Sequence, residues 1–203
     1  MTSLFIGTPT HDGRMDLRWI RGVLGCQRRF PELAVQVVDG CFLPKLRDEL
    51  TQLAITSGAD YTLFVDSDQE WGVEHVERLM AHALPLVCGR YVDRKGFGIE
   101  MWTPASKADE GQRLRRALQT GAGFMLFRTA ELRAFVETLD RSYLTTVGKT
   151  RVRAAWSANE IHGDVHEIDD AAFCRRWIAS GREIVVDTEC RIGHVGTVVR
   201  WPG

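Results

Sequence analysis

Two aspartates separated by one residue, Asp66 and Asp68, are the side chains whose type and spacing most clearly indicate chemistry in this sequence. They follow the uncharged segment 61–65, whose β-branched and aromatic residues predict a buried strand. Ligands of open α/β sheets bind beyond the carboxyl ends of the strands. Two carboxylates this close repel each other unless a cation or a proton is shared between them. The pattern therefore predicts a divalent metal site at this edge of the sheet.

Three kinds of site place two aspartates at this spacing. In glycosyltransferases, an Asp-x-Asp motif and a Mg²⁺ or Mn²⁺ ion hold the diphosphate of a nucleotide sugar. In phosphatases the first aspartate is the nucleophile, but that motif has Thr or Val where Glu70 stands and lies on the first strand. In an EF-hand loop, Asp66, Asp68, Glu70 and Glu77 fall at ligand positions, but Trp71 replaces the required glycine and a strand precedes the loop. A pair of surface aspartates in a turn is the non-functional alternative.

Strands and helices alternate along the first half of the chain. Apolar periodicity predicts, in chain order, a strand at 4–6, a helix at 16–24, a strand at 34–38, a helix at 46–53, a strand at 61–65, a helix at 73–80 and a strand at 86–88. Farther along it predicts a strand at 124–127, helices at 132–139 and 171–180, and a strand at 183–186. Gly58 is the predicted stop of the helix at 46–53. Segment 93–121 is predicted to form loops with short strands, and segment 141–164 lacks periodicity. The alternation predicts an α/β fold, with a mostly parallel central sheet covered by helices on both faces.

Composition excludes some classes of protein. The 203 residues predict a single domain, and a net charge of -1 gives no general electrostatic reason to expect nucleic acid or an acidic membrane as partner. Arg113, Arg115 and Arg116 form a local basic run, which is either a phosphate-binding patch or a solvated face. Five cysteines without a C-x-x-C pair, no leader and no apolar run of membrane-spanning length predict a reduced, cytoplasmic protein without a membrane span.

The chain resembles GT-A-fold glycosyltransferases (a Rossmann-like fold), in particular the small stand-alone members of bacteria and their phages. Five motifs in the family's order carry the resemblance: FIGTP at 5–9, LRDEL at 46–50, DSD at 66–68, GAGFML at 121–126, and DDAAFC at 169–174 followed by GHVG at 193–196. The resemblance covers nearly the whole chain and is weakest over 93–120 and 141–165. It implies one GT-A domain, with a nucleotide-sugar and metal-binding half at 1–92 and an acceptor-binding half at 93–203.

The resemblance also implies roles for individual residues. The metal, Mn²⁺ or Mg²⁺, is expected to bind to Asp66, Asp68 and His194. The nucleotide is expected to contact Thr8, Pro9, Asp39, Arg47, Asp66 and Ser67. The catalytic base is expected to be Asp170; Asp169 stands where the family has Glu, so the division of labour between the two acids stays open. Helix capping is the alternative role for both.

Sugar and acceptor contacts are expected from Gly121, Gly123 and Trp156, and with weaker support from Tyr91, Asp93 and Lys95. A zinc site at His162, His166 and Glu167 is rejected, because Gly163 interrupts a helix there and no other ligands cluster nearby. Segment 141–165 is expected to close over the bound donor.

These inferences predict a metal-dependent enzyme that moves a hexose from a nucleotide sugar to a hydroxyl acceptor. The expected donor is a UDP-sugar. The sequence does not distinguish among four kinds of acceptor: a sugar, a lipid-linked sugar, a protein side chain and a modified DNA base. Two alternatives stay open: a metal-dependent nucleotidyltransferase or phosphohydrolase, and a non-catalytic nucleotide-sugar-binding protein.

Overall fold

A computed structural model describes residues 2–93, 99–145, 150–156, 160–162, 164–167, 169–196, 199–200 and 202. Within these ranges the helices are α1 (Leu17–Arg29), α2 (Leu43–Ser57), α3 (Val73–Met80), α4 (Thr129–Glu137) and α5 (Asp169–Ala179). The strands are β1 (Leu4–Thr10), β2 (Leu33–Asp39), β3 (Tyr61–Val65), β4 (Gln69–Glu70), β5 (Leu86–Arg90), β6 (Trp102–Pro104), β7 (Leu114–Thr120), β8 (Phe124–Arg128), β9 (Ser142–Leu144), β10 (Arg151–Arg153), β11 (Glu160–His162), β12 (Val165–Glu167), β13 (Ile184–Arg191), β14 (Gly193–Val195) and β15 (Val199–Arg200). None of the described helices has the length and apolar character needed to cross a membrane.

Eight strands form the main sheet, in the order β2-β1-β3-β8-β5-β13-β7-β6. The pairs β2–β1, β1–β3 and β5–β13 are parallel. The pairs β3–β8, β8–β5, β13–β7 and β7–β6 are antiparallel. Smaller sheets pair β9 with β10, β11 with β12, and β4 with β14 and β15.

Successive side chains of each central strand point to opposite faces of the sheet, so the core is divided between the two faces. In β8, Met125 and Phe127 pack on one face with residues of α2, α4 and α5. Phe124 and Leu126 of the same strand pack on the other face with residues of α1 and α3. Each face of the sheet is therefore covered by helices.

Local sequence signals set the ends of the helices. The Asp16 side chain accepts a hydrogen bond from the Arg18 backbone N–H at 2.8 Å and so caps α1. Helix α2 ends at Gly58, whose φ of 72° lies in the left-handed region that a glycine adopts without strain. The predicted stop at this residue is confirmed.

The prediction of an α/β fold with helices on both faces is confirmed, but the sheet is mixed rather than mostly parallel. Between β5 and β8 the described residues contain strands β6 and β7 and a 3-10 turn at Lys107–Asp109, but no α-helix. The chain therefore does not make the helical crossover that a parallel neighbour requires, and β8 enters antiparallel to both β3 and β5. Strand β13 also extends to Arg191, beyond the predicted end at 186.

An aromatic cluster fills the core beneath α4 and α5. The Phe127 ring makes edge contacts with Phe64, Phe173 and Trp177 at centroid separations of 5.6 to 5.8 Å. Replacing Phe127 with alanine leaves a cavity that the surrounding rings cannot close.

We expect Phe127→Ala to lower the free energy of unfolding by about 3–5 kcal/mol, because the lost burial is added to the cost of the cavity. Leu118→Ala is the control, since this side chain is 55% exposed, and we expect it to change stability by less than about 0.5 kcal/mol. Urea denaturation measures both. Equal effects of the two substitutions would contradict the assignment of this core.

Candidate functional site

A cleft of about 420 Å³ opens at the carboxyl ends of β1 and β3. Its walls are formed by the end of β1 and the loop after it, the start of α2, the Asp-Ser-Asp turn and β14. The lining residues are Pro9, Thr10, His11, Asp12, Leu43, Asp66, Ser67, Asp68 and His194. Five residues predicted from the sequence therefore share one cleft: Pro9, Asp66, Ser67, Asp68 and His194.

His194 reaches the aspartate motif because β14 pairs with β4, the strand that follows the motif. Its Nε2 lies 3.4 Å from Asp68 Oδ2. Its Nδ1 lies 2.8 Å from the Val92 carbonyl oxygen, which only accepts, so Nδ1 carries the proton of the neutral ring. Burial lowers the pKa of His194, but the bonds to Asp68 and Val92 outweigh burial and leave the pKa raised. In the neutral ring, Nε2 is therefore a free electron-pair donor beside a carboxylate.

This donor set fits a divalent metal ion. Two donors bound at right angles to one ion, with bonds of about 2.1 Å, lie about 3 Å apart, close to the separation of Asp68 and His194. The Val92 carbonyl behind His194 is the kind of outer partner that fixes the orientation of a ligating imidazole. Within the described residues, however, no group of three or more His, Cys, Asp or Glu side chains is already placed to hold an ion. To act as a further ligand, Asp66 would have to use its Oδ2, because Arg47 binds its Oδ1.

Arg47 connects the aspartate motif to the two acids at the start of α5. Its Nη2 donates to Asp66 Oδ1 at 2.9 Å, and its Nη1 donates to Asp169 Oδ2 and, at 3.4 Å, to Asp170 Oδ1. The side chain is only 4% exposed, and its guanidinium lies 5.6 Å from the ring centre of Trp156. Burial opposes its charge, but the three carboxylates outweigh burial and raise the pKa of Arg47. The arginine that the resemblance assigns to the nucleotide here neutralises the carboxylates.

One guanidinium shared among three carboxylates does not fully compensate them. Burial is the main cause that raises the pKa of Asp66, with a further contribution from Asp68. Burial, together with the charges of Asp169 and Asp66, raises the pKa of Asp170 to about 7, although Arg47 and the Ala122 N–H act in the opposite direction. A carboxyl group that ionises near neutral pH is suited to accept a proton.

Gly121 and Gly123 allow the side chain of a tyrosine to approach the backbone. A Cβ on Gly121 would lie 2.2 Å from Tyr91 Oη, and one on Gly123 would lie 2.8 Å from the same atom. The Gly123 N–H donates to Tyr91 Oη at 2.8 Å, and the Gly123 carbonyl accepts from the Asp66 N–H at 3.2 Å. The glycines therefore support the aspartate motif through Tyr91, and their contact with a sugar stays a prediction.

Three other predicted contacts lie outside the cleft. Thr8 is buried, and its hydroxyl accepts from the Trp19 indole N–H at 3.1 Å, because alternation along β1 turns this side chain into the core. Trp156 is fully buried and stacks on Phe173 at 3.9 Å, so its ring supports Arg47 and cannot touch a sugar. Asp39 is exposed at the end of β2, opposite Thr10, beside the cleft and not in its lining.

The remaining predictions are tested only in part. Lys95 and the side chains of His162 and His166 lie outside the described residues. Asp93 Oδ1 accepts from the Ile99 N–H at 2.8 Å, and Glu167 binds Arg175 at 2.7 Å. The basic run is divided: Arg113 and Arg116 pair with carboxylates, whereas Arg115 packs on Trp102.

Sequence reasoning missed Asp48, which is 1% exposed and anchors part of the segment expected to move. Its Oδ1 accepts from the Trp156 N–H at 2.8 Å, and its Oδ2 accepts from Tyr143 Oη at 2.9 Å. Arg176 donates to the carbonyls of Ala154 and Ala155 from α5. The described residues of 141–156 are thus held between α2 and α5, and the predicted closure of segment 141–165 over a donor stays a prediction. The sequence did carry a signal for this role, because Asp48 is a second charged residue directly after Arg47 in the LRDEL motif.

We expect Arg47→Met to lower the free energy of unfolding by about 3 kcal/mol at pH 7, because it leaves three carboxylates without their shared cation. The loss should be smaller at pH 4, where protonation removes the repulsion between them. Arg21→Met, on the exposed side of α1, is the control and should be nearly neutral. Chemical denaturation at both pH values tests this, and a loss that does not depend on pH would contradict the shared-charge interpretation.

The pH dependence of Asp170 gives a second prediction. Its pKa of about 7 in the folded state exceeds the ordinary value of 3.8, so ionisation disfavours the folded chain. The protonated Asp170 carboxyl therefore contributes its full stabilisation below about pH 4, and this stabilisation is lost as the pH rises through 7. We expect the carboxyl carbon of Asp170 to titrate near pH 7 in ¹³C NMR, with Asp170→Asn identifying the signal. A midpoint below 5 would contradict the burial described here.

The crystal structure of A197 from STIV is similar to this chain in fold. The TM-score is 0.60, and the match covers 97% of this chain and 86% of A197 at 15% sequence identity. At that identity the likeness concerns the fold alone. No protein-family model matches the sequence. No curated protein matches it either.

Proposed function

We propose that this protein is a metal-dependent glycosyltransferase of the GT-A type, which transfers a hexose from a nucleotide sugar, most simply a UDP-sugar, to a hydroxyl acceptor. The observation that carries the proposal is the convergence of acids and an imidazole from distant parts of the chain. Asp66 and Asp68 follow β3, His194 lies on β14, and Asp170 begins α5, yet Arg47 and the cleft bring them to one edge of the sheet.

The metal-binding side of this edge suits a diphosphate. Carboxylate oxygens with one imidazole are ligands that Mn²⁺ accepts readily, and Mg²⁺ suits the oxygens. When bound there, such an ion would neutralise the charge that develops on a nucleoside diphosphate leaving group. The cleft volume of about 420 Å³ lies within the usual range for small-ligand sites. Pro9, Thr10 and Leu43 give it a less polar wall, against which a base and its ribose can lie.

Asp170 is the better candidate for the base. Arg47 donates to both acids, but its bond to Asp170 is the longer one, at 3.4 Å, and the pKa of Asp170 is near 7. Its Oδ2 accepts from the Ala122 N–H, which belongs to the segment before β8 and not to α5. A residue that only capped its helix would instead accept from a backbone N–H of the first turn. Its position supports removal of the acceptor proton by Asp170.

The sheet gives further support. In the six-strand part from β2 to β13, five strands run in one direction, and β8 alone is reversed. Helices cover both faces of this part. This shared direction supports the GT-A proposal. Beyond β13 the sheet continues with the reversed strand β7 and then with β6, which runs in the same direction as the five.

Donor turnover tests the proposal. The protein is incubated with a panel of nucleotide sugars, with and without Mn²⁺, and nucleoside diphosphate release is measured. We expect slow, metal-dependent hydrolysis of one donor. Asp68→Asn should lower the rate at least about 100-fold, because it removes a charged metal ligand while keeping the shape of the side chain. Asp140→Asn makes the same chemical change at an exposed site that does not line the cleft and should leave the rate unchanged.

The outcomes separate the candidate activities. Release of pyrophosphate or inorganic phosphate would replace the proposal with a nucleotidyltransferase or phosphohydrolase using the same acids. Metal-dependent donor binding without turnover, unaffected by Asp170→Asn, would indicate a binding protein. Neither turnover nor metal-dependent binding for any donor would overturn the assignment of the cleft.

A further inference from the structure

A second cavity, of about 380 Å³, lies at the carboxyl end of β5 beyond the candidate site. The side chains that matter for its chemistry are Arg90, Glu100, Trp102, Gln112 and Arg115. None of the residues predicted from the sequence to bind nucleotide or metal lines it.

Two pairs of adjacent residues connect the cavity with the surroundings of the candidate site. Arg90 faces the cavity, while its neighbour Tyr91 bonds to Gly123 behind the aspartate motif. On the facing strand, Trp102 lines the cavity, while the carbonyl of Met101 accepts from the Gly121 N–H at 2.7 Å. A Cβ placed on Gly121 would lie 3.6 Å from Asp170 Oδ2. The backbone that lines the cavity therefore continues directly into the backbone that supports Gly121 and Gly123 beside the acids.

Arg115 is the unusual group in this cavity. Its neighbours in space are paired: Arg90 Nε donates to Glu100 at 2.9 Å, and Arg113 lies 3.5 Å from Asp187. Arg115 instead donates to the Ser106 carbonyl at 3.3 Å, and its guanidinium lies 5.1 Å from the centre of the Trp102 ring. It forms no ion pair with any carboxylate in the described ranges. The cavity thus holds one positive charge in excess.

The contacts of Arg115 also fix its direction. The Trp102 ring supports the guanidinium from one side, and the planar fork of its N–H groups matches a carboxylate or a phosphate. The exposed Gln112 side chain beside it offers an amide for hydroxyl groups. Together these groups suit a ligand that carries both an anionic group and hydroxyls.

We propose that this cavity binds the anionic group, a carboxylate or a phosphate, of an acidic saccharide acceptor, with Arg115 as its principal contact. The identification of the ligand as an acceptor rests on the proposed glycosyltransferase activity, whereas the binding site itself does not. Trp102 holds Arg115 in place, and Arg90 is largely committed to Glu100.

Direct binding without donor or metal tests the site. The probes are a trigalacturonate, glucose 6-phosphate, the neutral maltotriose and a short single-stranded DNA, titrated against the whole protein. The readout is the indole N–H signal of Trp102 in NMR, assigned with Trp102→Phe. Arg115→Gln is compared with Arg116→Gln, which makes the same charge change on the same strand but at a residue that pairs with Glu183 outside the cavity.

We expect an acidic sugar to bind, Arg115→Gln to weaken its binding at least about tenfold, and Arg116→Gln to leave it within about twofold. Preference for trigalacturonate identifies the group as a carboxylate, and preference for glucose 6-phosphate identifies it as a phosphate; either supports the proposal. Equal binding of maltotriose, equal effects of the two variants, binding of DNA alone, or binding of no probe would overturn it. Because the assay needs no turnover, its failure is distinguishable from failure of the proposed activity.

Discussion

The rest of this site depends on the sharing of one buried guanidinium among three carboxylates. Asp66 comes from the end of β3, and Asp169 and Asp170 from the start of α5; Arg47 of α2 joins these segments, because it bonds to all three carboxylates. One guanidinium holds the segments together but does not fully neutralise three buried carboxylates, and the pKa of Asp170 is raised as a result. The interaction that organises the fold at this edge thus also sets its acid–base chemistry.

The antiparallel strand β8 gives this arrangement its second support. Since β8 begins where β3 ends, the Gly123 carbonyl can accept from the Asp66 N–H, and Ala122 can donate to Asp170. Tyr91, at the end of β5, then fills the space left by the two glycines. A parallel strand at this position would have placed its first residues at the opposite edge of the sheet. The reversal in the sheet therefore places backbone donors and acceptors beside the acids.

Most of the helices and strands of the first half could be predicted, because their apolar periodicity and stop signals such as Gly58 are local. The aspartate motif and His194 could be found from type and order, and they do share a cleft. Thr8 and Trp156 could not be placed, because their orientation depends on the pleat of β1 and on a stack with Phe173. Strand directions, the partners of Arg47 and the anchoring role of Asp48 arise from contacts between segments about 20 to 120 residues apart, which no local pattern encodes.

The cysteines, scattered along the sequence without pattern, become sharply unequal in the folded chain. Cys26, Cys88, Cys174 and Cys190 are buried, and burial raises the pKa of each, to about 12 for Cys26, Cys174 and Cys190. Cys41 is exposed in the turn between β2 and α2, two residues before the Leu43 wall of the cleft. Thiol reagents therefore have a single accessible target in the native protein, and a fluorophore attached there would report on the cleft without any engineered residue.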